Sequence, residues 1–140
     1  MTSKPRAVLA LDVGSKRIGV AGSDLLGITA QAIETRARTK LQDDLEHFTR
    51  LARERGAEAF VLGLPRNMDG SEGFQAEDTR AFAKALEETS GLPILFVDER
   101  LTTKAAHSVL IEGNVRRKDR KKVVDKLAAV LILESYLQGL

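Results

Sequence analysis

The stretch Ala7-Val-Leu-Ala-Leu-Asp-Val-Gly-Ser-Lys-Arg-Ile-Gly-Val-Ala-Gly-Ser-Asp24 constrains this chain most. Val8 to Leu11 is a continuous apolar run, the pattern of a central strand covered on both faces. Asp12 follows directly. An ionisable group placed there sits at the edge of the core and meets a ligand without the full cost of burial. Gly14 permits a sharp turn, and Arg17 to Ala21 is predicted to run back as a second strand beside the first. Asp and Gly are also ordinary hairpin residues, so Asp12 alone does not define a site.

Beyond this opening, Gly27 to Glu34 alternates in part and predicts a third, antiparallel strand. Leu41, Leu45, Phe48 and Ala52 recur at helical spacing, with acids at Asp43, Asp44 and Glu46 near the start and Gly56 as the stop. His47 lies among charged residues and reads as a surface side chain. Ala59 to Leu64 is a second fully apolar strand, followed by the turn-forming loop Pro65 to Gly73. A helix is predicted from about Gln75 to Thr89, closed by Gly91, and then a buried strand from Pro93 to Val97 ending on Asp98, Glu99 and Arg100. Thr102 or Thr103 suits the cap of a further helix with Ala105, Ala106, Val109 and Leu110 on its inner face; His107 there has no neighbours at metal-ligand spacing. The last predicted helix, about Lys122 to Leu137, is apolar almost all round and belongs under other elements, which makes Asp125 conspicuous. An acid in a first helical turn also complements the helix dipole, the plain reading if Asp125 stood alone. The order is mixed α/β, with parallel later strands.

With 140 residues the chain suits one domain with its own core, and 43% apolar and 30% charged residues exclude a disordered composition. The absence of Cys excludes disulfides and thiolate metal sites and suits a reducing compartment. No N-terminal apolar run suits a signal peptide or membrane span, so the expectation is a cytoplasmic protein without a membrane partner. Net charge is only +2, but Arg116, Arg117, Lys118, Arg120, Lys121 and Lys122 fall within one short segment, a local field for a polyanion. One Tyr, five Phe and no Trp make a poor stacking platform, so phosphate contacts are expected rather than base reading.

Ligands of open α/β sheets gather outside the carboxyl ends of the parallel strands. Asp12 ends the first strand, Asp98 and Glu99 end the last, and Asp125 begins a helix that must pack on the same sheet. Clustered carboxylates repel unless a cation intervenes. With oxygen donors and no Cys or His among them, the fitting ions are Mg²⁺ or Mn²⁺. Two such ions about 4 Å apart stabilise both the attacking water and the leaving oxygen in phosphodiester cleavage. The basic run just ahead of Asp125 would hold the nucleic-acid backbone beside them.

Asp12-Val-Gly-Ser-Lys-Arg-Ile-Gly-Val-Ala, Gly63-Leu-Pro-Arg-Asn-Met-Asp-Gly-Ser, Val97-Asp-Glu-Arg-Leu-Thr-Thr and Asp125-Lys-Leu-Ala-Ala-Val-Leu-Ile-Leu together resemble the YqgF/RuvX family over nearly the whole chain. The resemblance implies an RNase H-like α/β fold, a five-stranded mixed sheet flanked by helices, related to the RuvC Holliday junction resolvase. It implies a metal-dependent nuclease whose acids fall on Asp12, Glu99 and Asp125. Because side chains alternate along a strand, Asp98 and Glu99 cannot both face the site; Glu99 is preferred, with Asp98 in reserve. Arg17, Arg66 and Arg100 also fall in family motifs, and with the basic run Arg116, Arg117, Arg120, Lys121 and Lys122 they are assigned to nucleic-acid phosphates. Gly22 departs from the family, which usually has a larger apolar residue there. The family is linked to four-way DNA junctions and to the 5′ end of precursor 16S rRNA; symmetric junction cutting would favour a two-fold homodimer.

Two other classes fit parts of the pattern. An actin-like phosphotransferase also opens its phosphate loop with Asp-x-Gly, but uses two such domains around the nucleotide. A non-catalytic nucleic-acid-binding ribosome-assembly factor could keep the fold, although all three acid positions here remain acidic.

Overall fold

A computed structural model of the chain describes residues 5–65, 69, 71–98 and 117–138, with the side chains of 117–126 excepted. Its elements are β1 (Val8–Val13), β2 (Arg17–Ser23), β3 (Ala30–Ala37), α1 (Leu41–Arg55), β4 (Ala59–Leu64), α2 (Phe74–Ser90), β5 (Ile94–Asp98) and α3 (Arg117–Gln138). The five strands form one sheet in the order β3-β2-β1-β4-β5. β1, β2 and β3 are an antiparallel meander, while β4 lies parallel to β1 and β5 parallel to β4. The uninterrupted apolar runs thus occupy the middle of the sheet, where both faces are covered.

Alternation along the strands divides the core. Leu9, Leu11 and Val13 of β1, with Ile18, Val20, Phe60 and Leu62, face α1 and α2 and pack on Leu45, Phe48, Ala52, Phe82 and Leu86. Phe48 and Phe82 meet edge to face, with centroids 6.2 Å apart, where the two helices join. On the other face, Val8, Ala10, Ala21, Ala59 and Val61 pack on Ala129, Ile132 and Leu133 of α3. Burying either layer removes enough apolar surface to hold the helices on the sheet, at about 25 cal/mol per Å².

The β4 bounds, the mixed pairing and the glycine stops agree with the sequence reading. Gly56 (φ 67°) and Gly91 (φ 73°) end α1 and α2 in the left-handed conformation. Four points differ. β3 begins at Ala30 rather than Gly27, because Asp24 Oδ1 accepts the amides of Ile28 (2.7 Å) and Thr29 (3.3 Å) and Gly27 adopts φ 70°, which commits that segment to a turn. β5 is a half-buried strand with Phe96 40% exposed, since among the described residues it pairs only with β4. α3 begins at Arg117 rather than near Lys122, so Arg117 to Lys122 forms its first turns and Asp125 lies about two turns in rather than at its beginning. α3 is also not enclosed: Ala128, Ala129, Ile132 and Leu133 are buried, whereas Leu127, Val130 and Leu131 are half-buried.

Candidate active site

Asp12 is the next-to-last residue of β1, half-buried, at the end of the sheet where β4 and β5 also finish. By alternation it shares the face of Val8 and Ala10, the side covered by α3. Gly19 stands directly opposite it on β2. Arg17, two residues from Gly19, begins β2 on this same face and is half-buried.

The turn between β1 and β2 is tight. The Gly14 amide donates to the Arg17 carbonyl at 2.8 Å, and a Cβ on Gly14 would lie 2.7 Å from that oxygen. Only glycine fits this approach. The turn is tied to the rest of the molecule through Arg38, whose Nη1 donates to the Gly14 carbonyl at 3.0 Å and to Asp78 Oδ2 on α2 at 2.8 Å. No motif marks Arg38 or Asp78, and 40 residues separate them in sequence, so sequence reasoning passed over both.

The direction of α3 decides what else reaches this end of the sheet. Tyr136 Oη donates to the Pro5 carbonyl at 2.5 Å, just before β1, and burial followed by the nearby Glu58 carboxylate raises the Tyr136 pKa above its ordinary value. Glu134, Leu137 and Gln138 border the Gly27–Ala30 turn around a hollow of about 580 Å³. The C-terminal turn of α3 is therefore at the far end of the sheet. The helix touches all five strands, and its earlier turns lead back towards the end that carries Asp12. Position 125 lies about 16 Å along the axis from Tyr136 at 1.5 Å per residue.

Asp98 ends β5 on the opposite face. Leu95 and Val97 pack with the α3 layer, whereas Ile94 packs with the α1–α2 layer and Phe96 lies under the Arg80 guanidinium of α2, 5.2 Å from the ring centroid. Asp98 follows the alternation of Ile94 and Phe96. The structure therefore separates Asp98 from the face of Asp12. Glu99, Arg66, Arg100 and Arg116, like Thr102, Thr103 and His107, lie outside the described residues. Asp125, Arg117, Arg120, Lys121 and Lys122 are described in backbone only, on the first half of α3. His47 does not stand alone on the surface: its Nε2 is 2.6 Å from Glu34 Oε1.

A mixed sheet of this order with helices on both faces and an acid closing its first strand defines an RNase H-like fold. Thermus thermophilus RuvC, solved in complex with a Holliday junction substrate, matches it with a TM-score of 0.59 at 12% identity, covering 95% of each chain. The fowlpox virus resolvase, solved with Holliday junction DNA, gives 0.57 at 14% identity over 95% of this chain and 97% of its own. At such identities the likeness is one of fold.

The family is defined by sequence. Residues 6–139 match the model of RuvX, described as Holliday junction resolvase. Proteins named as candidate pre-16S rRNA nucleases are similar throughout: that of Moorella thermoacetica is 52% identical over 133 residues, 95% of each chain. That of Heliobacterium modesticaldum is 51% identical over 132 residues, 94% of this chain and 89% of its own. The chain belongs to the RuvX family.

Proposed function

We propose that residues 1–140 form one metal-dependent endonuclease domain, acting in the cytoplasm, that hydrolyses a phosphodiester in structured nucleic acid. The observation that carries this reading is the half-buried Asp12 at the carboxyl end of β1, on the face crossed by α3, whose earlier turns lead back towards it. Family membership supports it, as relatives carry nuclease names and the fold neighbours are resolvases.

The site acids are Asp12, Glu99 and Asp125. The placement of Asp98 on the other face favours Glu99 as the acid contributed after β5. A donor set of carboxylates without Cys or His fits a hard divalent cation. Mg²⁺ or Mn²⁺ held there would offset the charge of the scissile phosphate and make water a better nucleophile. Arg17, on the Asp12 face, and the cations of the first turns of α3 hold backbone phosphates; Arg66, Arg100 and Arg116 belong to the same group. Hydrolysis then breaks one P–O bond, with water supplying the hydroxyl to phosphorus and a proton to the leaving oxygen.

The substrate is a four-way DNA junction or precursor 16S rRNA, the first engaged by a homodimer. Cleavage of both, labelled and run side by side with Mg²⁺, Mn²⁺ or EDTA, tests the reading. Metal-dependent cleavage lost in Asp12→Asn is the expected result, and the better substrate names the pathway. Binding without cleavage of either would replace the nuclease with a non-catalytic assembly factor.

A further inference from the structure

The Arg38 side chain joins three elements that the sequence keeps apart. Its guanidinium bridges the Gly14 carbonyl (3.0 Å) in the β1–β2 turn and Asp78 Oδ2 (2.8 Å) on α2, and it lies 5.5 Å from the centroid of the Phe82 ring. Its own backbone amide donates to the Lys16 carbonyl at 2.9 Å, so the residue grips both ends of the turn. The Arg38 and Asp78 side chains are 21% and 29% exposed, which leaves the ion pair only partly screened. Gly14 is two residues beyond Asp12, and the turn ends at Arg17, whose side chain shares the Asp12 face.

This geometry has a directional consequence. Val13 and Ile18 are the last ladder pair before the turn, with Asp12 one residue inside it and Arg17 one residue outside, so a displaced turn acts directly on Arg17 and on Asp12 through the strand end that carries it. Arg38 approaches from the α1–α2 side and the site lies on the α3 side, so Arg38 holds the turn from behind without reaching the substrate. A guanidinium suits this role, since its fixed fork of donors meets a carbonyl and a carboxylate at once.

We infer that Arg38, oriented by Asp78, is a positioning residue that sets where Asp12 and Arg17 stand relative to a bound divalent cation and the scissile phosphate. The inference rests on the nuclease reading for its effect on turnover. Its mechanical part, a turn held by Arg38, is measured independently.

The test uses the full chain and the variants Arg38→Met, Arg38→Lys and Asp78→Asn. Hydrogen exchange at the amides of Gly14 to Arg17 reads the brace directly; it should accelerate at least several-fold in Arg38→Met and less in Arg38→Lys, which still reaches one partner. Mn²⁺ affinity by calorimetry and cleavage of the better of the two nucleic-acid substrates read the consequence. Removing a group that orients a metal-binding residue costs about 10- to 100-fold in metal affinity or turnover. Arg38→Met should therefore raise the half-saturating Mn²⁺ concentration and lower kcat in that range, with KM for nucleic acid within about twofold. Asp78→Asn should repeat the pattern more weakly. A rise in KM alone would make Arg38 a phosphate contact, and a lower Tm with wild-type kcat and Mn²⁺ affinity would make it a structural strut; either overturns the inference. Unchanged exchange at Gly14 to Arg17 overturns it whatever the substrate. Accelerated exchange in a protein whose wild type neither binds Mn²⁺ nor cleaves would refute the nuclease reading and leave the brace standing.

Discussion

Asp12 and Asp98 occupy opposite faces of the sheet: Asp12 shares the α3 side with Val8 and Ala10, and Asp98 the α2 side with Ile94 and Phe96. Asp98→Asn should therefore keep cleavage within about twofold of wild type, while Asp12→Asn and Glu99→Gln each lose about 100-fold or more, as expected when a metal-holding carboxylate is removed. Single-turnover cleavage of one substrate by the three variants checks this. Equal losses at Asp98 and Asp12 would move the role from Glu99 to Asp98.

Asp44 should govern stability in acid. It is 1% exposed and accepts from the Thr39 amide (3.0 Å), Thr39 Oγ1 (2.7 Å) and Arg36 Nε (3.2 Å). Burial opposes its charge, but these Thr39 and Arg36 bonds win and lower its pKa below the ordinary 3.8. A lowered native pKa gives stability that is fully present above 3.8 and fades as pH falls through the native value. Asp44→Ala, which strips three donors of their acceptor, should cost about 2–3 kcal/mol at pH 7. In urea unfolding the gap between wild type and Asp44→Asn should narrow below pH 3.8. A pH-independent gap would contradict the assignment.

Gly22 is explained by Arg55. A Cβ at Gly22 would meet Arg55 Nε at 2.7 Å and Ile33 Cδ1 at 2.8 Å, so the Arg55 guanidinium fills the space a larger residue would take. Arg55 Nη2 reaches the Ser23 carbonyl at 3.3 Å, while its Nε is buried with no hydrogen bond among the described residues. Both colliding groups are ends of flexible side chains, so Gly22→Ala should cost less than about 1 kcal/mol. In an Arg55→Ala background the same change should stabilise by about 0.5–1 kcal/mol, because alanine is less costly to order than glycine in a strand. A double-mutant cycle from denaturant midpoints reads the coupling; additive effects would show that Arg55 does not occupy the space.

Nucleic-acid binding should be strongly salt-dependent. Arg117, Arg120, Lys121 and Lys122 stand on the first turns of α3, where cations oppose the helix dipole and an anion relieves both. Neutralising each one that meets a phosphate should lower the slope of log K against log salt by about one unit, equally across sequences. Binding titrations between about 50 and 200 mM salt measure this. A sequence preference that survives all four changes would contradict phosphate-led binding.

Much of the fold was legible in the residues because its signals are local. Uninterrupted apolar runs mark β1 and β4 as interior strands, and the apolar spacing of Leu41, Leu45, Phe48 and Ala52 with Gly56 bounds α1. Among the described residues the order of strands and helices and the parallel character of the later strands were likewise readable, as were the family's motifs. Where local signals compete, reading failed: the Gly27–Thr29 segment alternates like a strand, but Asp24 draws its amides into a turn. The charged segment Arg117 to Lys122 lies ahead of the apolar pattern that marks the helix from about Lys122, yet continues the helix that those apolar turns anchor.

The sequence by itself determined which residues leave water, where the main elements lie and which acids belong to the family's pattern. Tertiary structure alone decided that Asp12 and Asp98 part company, that Asp44 is buried on Thr39 and Arg36, and that Arg38 ties the turn after Asp12 to Asp78 on α2. Hydrophobic periodicity is a property of neighbouring residues and is written in the chain. The face a carboxylate shares and the partner a guanidinium finds depend on strand order and on which helix covers which face. Both arise only when segments tens of residues apart are packed together.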